Sequence, residues 1–511
     1  MPRNPAPPEI DQPTRTVDES DRQLAQLGYQ RWTRRRLNKF ANMAISMTII
    51  STPTGIFSLY GSSLNSAGPG IAFWGWAVVW LCTLLVGAAM AEIAATMATS
   101  GAMYYWASDK GLGNRWLSWV TAHLNLLGLI AASAAVDYGA AVFASALLNM
   151  QYSYNPTPAK TFFIFTGILA VHALLNVFAN LALPILNKIS VWWITGGVVT
   201  ITAVLLLVPS HHQSLSFALG HVANGTGFTW LPYAMALSLG MGLYTFCGFD
   251  ASIHVSEETQ NASSNAPSGI VRSIFYSGLA GIVLLFGMNL AIQHYTAEVG
   301  SSNVPAQILL DALGATGAKL MLAIVLGCML FCGLAAVTAA SRQCFAVSRD
   351  RVLPGSAKWR KVHEASGVPR NAVWFTVALS FVLTLPAYWN TTIFNAIASV
   401  NVVGVFSAYG IPIALRLKRG RGFVPDAGWN LKGWGTKISV AAVVWVVLLD
   451  VLVCVPSATP ITVDSFNYTP VALGIVLILS QIWWFVSARR TFTGPVSDVT
   501  SDYLAQFSEL V

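Results

Sequence analysis

Apolar runs far longer than any soluble core helix needs, separated by short basic or polar clusters, dominate the chain. No Asp, Glu, Lys or Arg interrupts residues 41–91, 189–249 or 371–415, and each run is long enough for two crossings of a bilayer with a neutral loop between them. The pattern predicts about twelve membrane-spanning helices near 40–62, 70–96, 114–148, 161–179, 182–208, 231–256, 269–294, 317–347, 371–387, 391–417, 436–456 and 469–487. The expected fold class is therefore an all-α polytopic membrane protein.

Two of these segments carry an internal breaker. The first contains Ser51-Thr52-Pro53-Thr54-Gly55 and the sixth Phe246-Cys247-Gly248-Phe249-Asp250. Within hydrocarbon a helix gives up backbone hydrogen bonds only where protein, a ligand or a water-filled cavity satisfies the freed groups. Broken spans in matching places of two halves are the sequence mark of a transporter's binding site. Comparing spans one to five with six to ten gives start-to-start offsets of roughly 190–210 residues, as an ancestral five-span unit repeated with inverted topology would. The third and eighth spans are both long, which implies tilt.

Composition supports this organisation. Of 511 residues, 55% are hydrophobic and 10% charged, too apolar for soluble domains. The net charge of +8 does not point to nucleic acid, because the basic residues sit beside alternate span ends: of 29 Lys and Arg, only Lys160 and Lys319 fall on the opposite side. By the positive-inside rule both termini are expected in the cytoplasm of a cell-membrane protein. The expected divisions are a cytoplasmic tail over 1–38, five-helix repeats over 39–208 and 231–418, two added helices over 434–488, and a second tail over 489–511. Residues 1 to about 22 read as disordered. The stretch 24–39, with Arg31, Arg34, Arg35, Arg36 and Lys39, reads as a basic helix lying on the inner surface. Six cysteines show no disulfide or zinc spacing and read as packing residues.

The breaks hold the candidate chemistry. Where a half-helix starts near the bilayer centre, its free amides and positive dipole end can receive an anion. A substrate carboxylate would meet the amides around Thr54, Gly55 and Ile56 and the hydroxyls of Ser51, Thr52 or Thr54, unless the segment is only a proline kink repaired by Ser and Thr back-bonding. In the second break Gly248 permits close approach, and Phe246 and Phe249 either stack on a substrate or simply pack. Cys247 lies in the same turn. Asp250 reads as an N-cap, an ammonium ligand or a proton carrier. Asp137, deep in the third span, reads as an amine or coupling-proton site, or as bonded to a Ser, Thr or Asn of a neighbouring helix. Glu92, near the inner end of the second span, reads as structural; His123, His172 and His254 lack a metal-ligand arrangement and read as satisfied packing groups.

Taken together, Leu27-Gly28-Tyr29 with its basic run, Ser100-Gly101-Ala102-Met103-Tyr104-Tyr105-Trp106, Phe246-Cys247-Gly248-Phe249-Asp250-Ala251 leading to Ser256-Glu257-Glu258-Thr259, and Ser341-Arg342-Gln343 leading to Ser348-Arg349-Asp350 and Leu353-Pro354 resemble the amino acid, polyamine and organocation transporter superfamily. The likeness is to its amino acid/choline branch, which includes 4-aminobutyrate and choline permeases, and covers about residues 24–490. It implies a leucine-transporter-like fold of five plus five inverted repeats, with substrate held between spans 1, 3, 6, 8 and 10. Ala98 and Ala102 depart from the usual proline and glycine of the pattern. Val191-Trp192-Trp193-Ile194-Thr195 stands where proton-coupled relatives can carry a lysine. If sodium is the coupling ion, the analogy directs attention to oxygens of the first span and to Thr338 or Ser341, which otherwise serve as helix-packing hydroxyls.

The expected function is secondary transport, by alternating access, of a small amino acid or an analogue such as 4-aminobutyrate. Choline or polyamine transport and a non-transporting nutrient sensor are the alternatives. No Lys or Arg enters the central region, which argues against polyanionic substrates, and no nucleotide-binding loop is present for ATP-driven pumping. The scattered histidines do not assemble the nucleophile, base and orienting group of a membrane enzyme. No cofactor is expected, the coupling ion stays open between proton and sodium, and the expected partners are the solute and the lipid bilayer.

Overall fold

The computed structural model describes residues 19–29, 35–178, 182–363, 368–390, 393–425, 428–463 and 465–496. Among them ten helices are long and apolar enough to cross a membrane. The first of these, Lys39–Thr96, crosses twice. Gly68 takes φ +82° and ψ 172°, and Pro69, which needs no amide partner in a first turn, starts the return. The reversal is visible in the contacts, because Asn42 near one end and Ser100 just past the other both reach the stretch 252–259. One further crossing is too fragmented to count among the ten: Leu231–Leu237, Gly240–Thr245 and Ala251–His254 together form the sixth span. The described chain thus crosses twelve times.

The remaining spans are Arg115–Tyr152, Pro158–Phe178, Leu183–Leu207, Ala262–Ala291, residues 315–349, Arg370–Tyr388, Ile393–Arg419, Lys432–Leu452 and Thr469–Thr491. Span 8 belongs to the longer helix Val304–Arg349, which bends at Gly314, and its leading piece packs beside Gly61 of span 1. At 38 residues span 3 is about 57 Å long, well beyond a bilayer core of about 30 Å, so it crosses obliquely and protrudes. Its apolar window is 94% buried, against 28% for span 11 and 11% for span 12. Span 3 is therefore a central post, whereas spans 11 and 12 show lipid their Val447, Leu448, Ile478 and Leu479. The post meets span 10 at Gly128 and Gly404, where the Cβ of an alanine at position 404 would stand 2.8 Å from the Gly128 backbone. Such small-residue contacts let backbones approach where no hydrophobic force acts between helices.

The N-terminal segment differs from the expected basic surface helix over 24–39. Among the described residues of that stretch a helix covers Glu19–Gln26 and neither 27–29 nor 35–38 is helical, with Gly28 turning the chain at φ +89°. Leu37 forms a bridge with Thr259, and Lys39 opens span 1. Arg35 bonds Asp21 at 2.9 Å and donates to the carbonyls of Ser256 and Thr259 at 3.0 and 2.6 Å. This burial of Arg35 against span 6 is what a surface helix could not provide; Arg31 and Arg34 lie outside the described residues. The basic end of the bundle is further tied by Glu92, which pairs with Arg416 at 2.7 Å and accepts the Leu431 amide at 3.2 Å, joining spans 2 and 10 to the loop beyond. Glu258, just past span 6, is raised above the ordinary carboxylate range by burial, with the Arg342 and Arg36 charges opposing.

Candidate substrate site at the two helix breaks

Span 1 opens for a local reason. Pro53 has no N–H and its ring excludes the carbonyl four residues back, so the helix stops at Ile50 and restarts at Thr52 with proline at the second position. The carbonyl four residues before Pro53 belongs to Ile49, and the Cys332 thiol of span 8 donates to it at 3.1 Å. Ser51 alone forms the break, at φ +34° and ψ 73°. The interruption is narrower than Ser51 to Gly55: Thr52, Pro53, Thr54 and Gly55 form the first turn of the restarted helix. That restarted helix runs to Gly68; Pro53 has no N–H and the Gly55 amide bonds the Ser51 carbonyl at 3.2 Å, which leaves the Thr52 and Thr54 amides without an acceptor inside it.

Span 6 breaks differently. The helix ends at Thr245, Phe246 to Asp250 form consecutive turns, and Gly248 sits at φ +89°, where a side chain would be strained. The following helix, Ala251–His254, is only four residues long. It supplies no extended dipole, so the expectation of a second half-helix anion site here does not hold. Asp250 makes no capping hydrogen bond. One of its oxygens accepts from Tyr409 of span 10 at 2.6 Å, and the other lies 3.1 Å from His254 Nε2. The N-cap reading gives way to a tie between spans 6 and 10.

The two breaks meet. Spans 1 and 6 run antiparallel, as the pairs Asn42–Ser252, Ser46–Phe249 and Ser63–Ser238 mark from one end to the other. Between those pairs, the Cβ of an alanine at position 55 would fall 2.1 Å from Thr245 Oγ1, and one at 248 would fall 2.3 Å from Ile49 Cγ2. A cavity of about 30 Å³ lies at this crossing, bordered by Thr54, Gly55, Thr245, Cys247 and Gly248. Val136 of span 3, Cys332 and Ala336 of span 8, and Asn401 and Val405 of span 10 close it. Spans 1, 3, 6, 8 and 10 converge there.

Four of the thirteen candidate residues, Thr54, Gly55, Cys247 and Gly248, border this cavity. Ser51 is adjacent, sharing a 2.7 Å hydroxyl contact with Thr54. Thr52 donates instead to the Ser277 carbonyl of span 7 at 3.2 Å, and Ile56 is buried in the core. Phe246 packs on Trp76 and Phe249 on Tyr409, with ring centroids 4.9 and 4.6 Å apart. Asp137, next to the cavity residue Val136, faces His172 Nδ1 with both oxygens, at 3.0 and 3.1 Å. The Thr338 hydroxyl bonds Asn176 of span 4 and its own helix, and Ser341 bonds the Thr338 carbonyl. The described residues hold no group of three or more His, Cys, Asp or Glu arranged for a metal ion. Sequence reasoning missed Tyr244, Thr245, Cys332, Asn401 and Tyr409. Asn401 had a signal, being the lone amide in the apolar stretch Val400 to Phe406.

Discontinuous helices crossing at one cavity inside a twelve-span bundle define a multi-pass membrane transporter of the broken-helix class. The chain belongs to the amino acid permease family, whose model matches residues 40–478, within the amino acid, polyamine and organocation superfamily. It is similar to the amino-acid permease BAT1 of Arabidopsis thaliana, at 34% identity over 95% of this chain and 98% of the relative. A BAT1 homolog of Oryza sativa subsp. japonica is 32% identical over 94% and 96% of the two chains. The GABA-specific permease of Saccharomyces cerevisiae is 27% identical over 94% and 86%. The protein is an amino acid transporter.

Proposed function

We infer that this permease carries a small neutral amino acid or an analogue such as 4-aminobutyrate across the cell membrane by alternating access, with its basic end and both termini in the cytoplasm. The observation that carries the reading is the crossing of the two breaks at one cavity. There the restarted helix of span 1 offers the amides of Thr52 and Thr54 and a positive dipole end to a carboxylate. No Lys, Arg, Asp or Glu borders the cavity, which fits a solute of no net charge. Asp137 and Asp250 are already bonded to His172, Tyr409 and His254, which weighs against choline or a polyamine, whose uncompensated charge needs a free carboxylate. The name of the yeast relative, a GABA-specific permease, points the same way.

At about 30 Å³ the cavity is small beside the roughly 300–1,000 Å³ of a formed small-molecule site. The five spans must part to admit the solute. Under alternating access they would part first at one end and then at the other, with Arg35 and the Glu92–Arg416 pair closing the basic end in the present conformation. Uptake of labelled 4-aminobutyrate and alanine into proteoliposomes tests the reading, with proton and sodium gradients imposed in turn to identify the driving ion. Saturable accumulation blocked by unlabelled amino acids supports it. Binding without accumulation would instead make the protein a sensor, and chemical conversion an enzyme.

A further inference from the structure

A zwitterion needs its ammonium satisfied as well as its carboxylate, and the carboxylates of spans 2, 3 and 6 are committed elsewhere. Asp137 faces His172 with both oxygens, Asp250 uses one on Tyr409 and one on His254, and Glu92 is held by Arg416 and the Leu431 amide. Two neutral side chains at the cavity are in the opposite condition. Asn401 of span 10 is 2% exposed and its Oδ1 has no hydrogen-bond partner. Tyr244 of span 6, two residues before the break, is 5% exposed and its hydroxyl has none either. Both border the same cavity. A buried polar atom without a partner is costly, and although other buried side chains among the described residues also lack one, these two share the cavity at the helix breaks, where a partner can arrive from outside the protein.

We propose that Asn401 Oδ1 and the Tyr244 hydroxyl are the ammonium subsite of this permease, accepting N–H groups of a primary amine. The assignment rests on the reading above that the carboxylate of the same solute lies at the start of the restarted helix of span 1. Two neutral acceptors select by hydrogen bonding rather than by charge. A primary ammonium satisfies both oxygens. A trimethylammonium has no N–H to donate, leaves both unpaired and adds bulk, so a site of this kind rejects it. A second cationic group on the solute would find no counter-charge at the cavity wall.

The test uses the full-length protein in phosphatidylethanolamine/phosphatidylglycerol proteoliposomes, with labelled 4-aminobutyrate and labelled alanine as probes. Competition by 4-aminobutyrate is compared with competition by its N,N,N-trimethyl analogue. Asn401→Leu, which keeps bulk and removes the acceptor, should raise the half-saturation for the primary amine about tenfold. It should leave the weak competition by the trimethyl analogue unchanged. Tyr244→Phe should act in the same direction by a few fold, and Asn401→Ser, which restores an oxygen, should recover part of the discrimination. Asn401→Asp should shift preference toward solutes of net positive charge. Equal losses for both compounds, or no change for either, overturn the subsite and return the two residues to packing or to holding trapped water. Monodisperse, normally melting variants are required for the comparison, and Asn401→Ser supplies it if Asn401→Leu does not fold. Gly248→Leu separates the two levels of inference. If it abolishes uptake while Asn401→Leu and Tyr244→Phe keep the discrimination, only the ammonium subsite fails; if it leaves uptake intact, the reading of the breaks fails with it.

Discussion

The two breaks lie side by side yet are built on opposite principles. In span 1 a single residue, Ser51, departs from the helix, and a long helix restarts at once at Thr52, with Pro53 in its first turn. In span 6 five residues turn between helices of six and four residues, and the turn is pinned from outside. Ser46 donates to the Phe249 carbonyl at 2.8 Å, and the Ser252 amide donates back to Ser46 at 2.9 Å. Tyr409 accepts the Gly248 amide at 3.3 Å while donating to Asp250. Span 1 leaves the Thr52 and Thr54 amides without an acceptor in their own helix and supplies a dipole. Span 6 has its groups engaged by side chains of spans 1 and 10, an arrangement that can be exchanged when helices move. From this difference we propose that the first break holds the solute carboxylate and that the turn of the second acts as a gate.

That division can be broken at its strongest point by Gly248→Leu. A side chain at φ +89° that also meets Ile49 should reduce uptake to background while the protein still inserts; uptake near wild type would show that the turn is not needed. Gly55→Val comes next. It drives a branched side chain into Thr245, wedging the two breaks apart, and should cost both solute affinity and thermal stability, by roughly 1–3 kcal/mol for overpacking in a melting experiment. An unshifted melting temperature would mean that spans 1 and 6 are looser here than the close approach implies.

Tyr409→Phe probes the pinning itself. It removes the donor to Asp250 and the acceptor of the Gly248 amide without changing shape, and should cost about 1–3 kcal/mol, read as slowed turnover more than weakened binding if span 6 gates. A pure loss of affinity would move span 6 to the holding side of the comparison. The pair Asp250→Asn and Asp137→Asn sharpens this further: the first should change the rate because Asp250 ties spans 6 and 10, whereas the second acts through His172, one layer outside the cavity. Uptake that is unaltered across pH in either variant would make that residue a structural part only. Ser46→Ala should be the mildest, losing about 0.5–1.5 kcal/mol for its hydrogen bonds to span 6, and measurably faster opening by hydrogen exchange at residues 249–252 is the expected sign.

Much of this was readable from the residues in order. The apolar runs announced twelve crossings, Pro53 and Gly248 announced where two of them fail, and the basic clusters marked one end of the bundle. The reading went astray where a partner lies far along the chain. Asp250 resembled an N-cap because Asp commonly is one; its actual partner Tyr409 is 159 residues away. Arg35 belonged to a plausible surface helix until its hydrogen bonds to Ser256 and Thr259 took it inward. Asp137 and His172 each stood out singly, and nothing in their spacing of 35 residues declared that they pair.

What the sequence determined alone is the number of crossings and the depth of the breaks, because each follows from local chemistry: apolar length, a proline without an N–H, a glycine free to take positive φ. Which polar group meets which, and that Asn401 Oδ1 and the Tyr244 hydroxyl stand unpaired at one cavity, was decided only by the tertiary structure. A span apolar on every side carries no stripe to fix its rotation, so the facing of its few polar residues is set by the packing of small side chains on its neighbours.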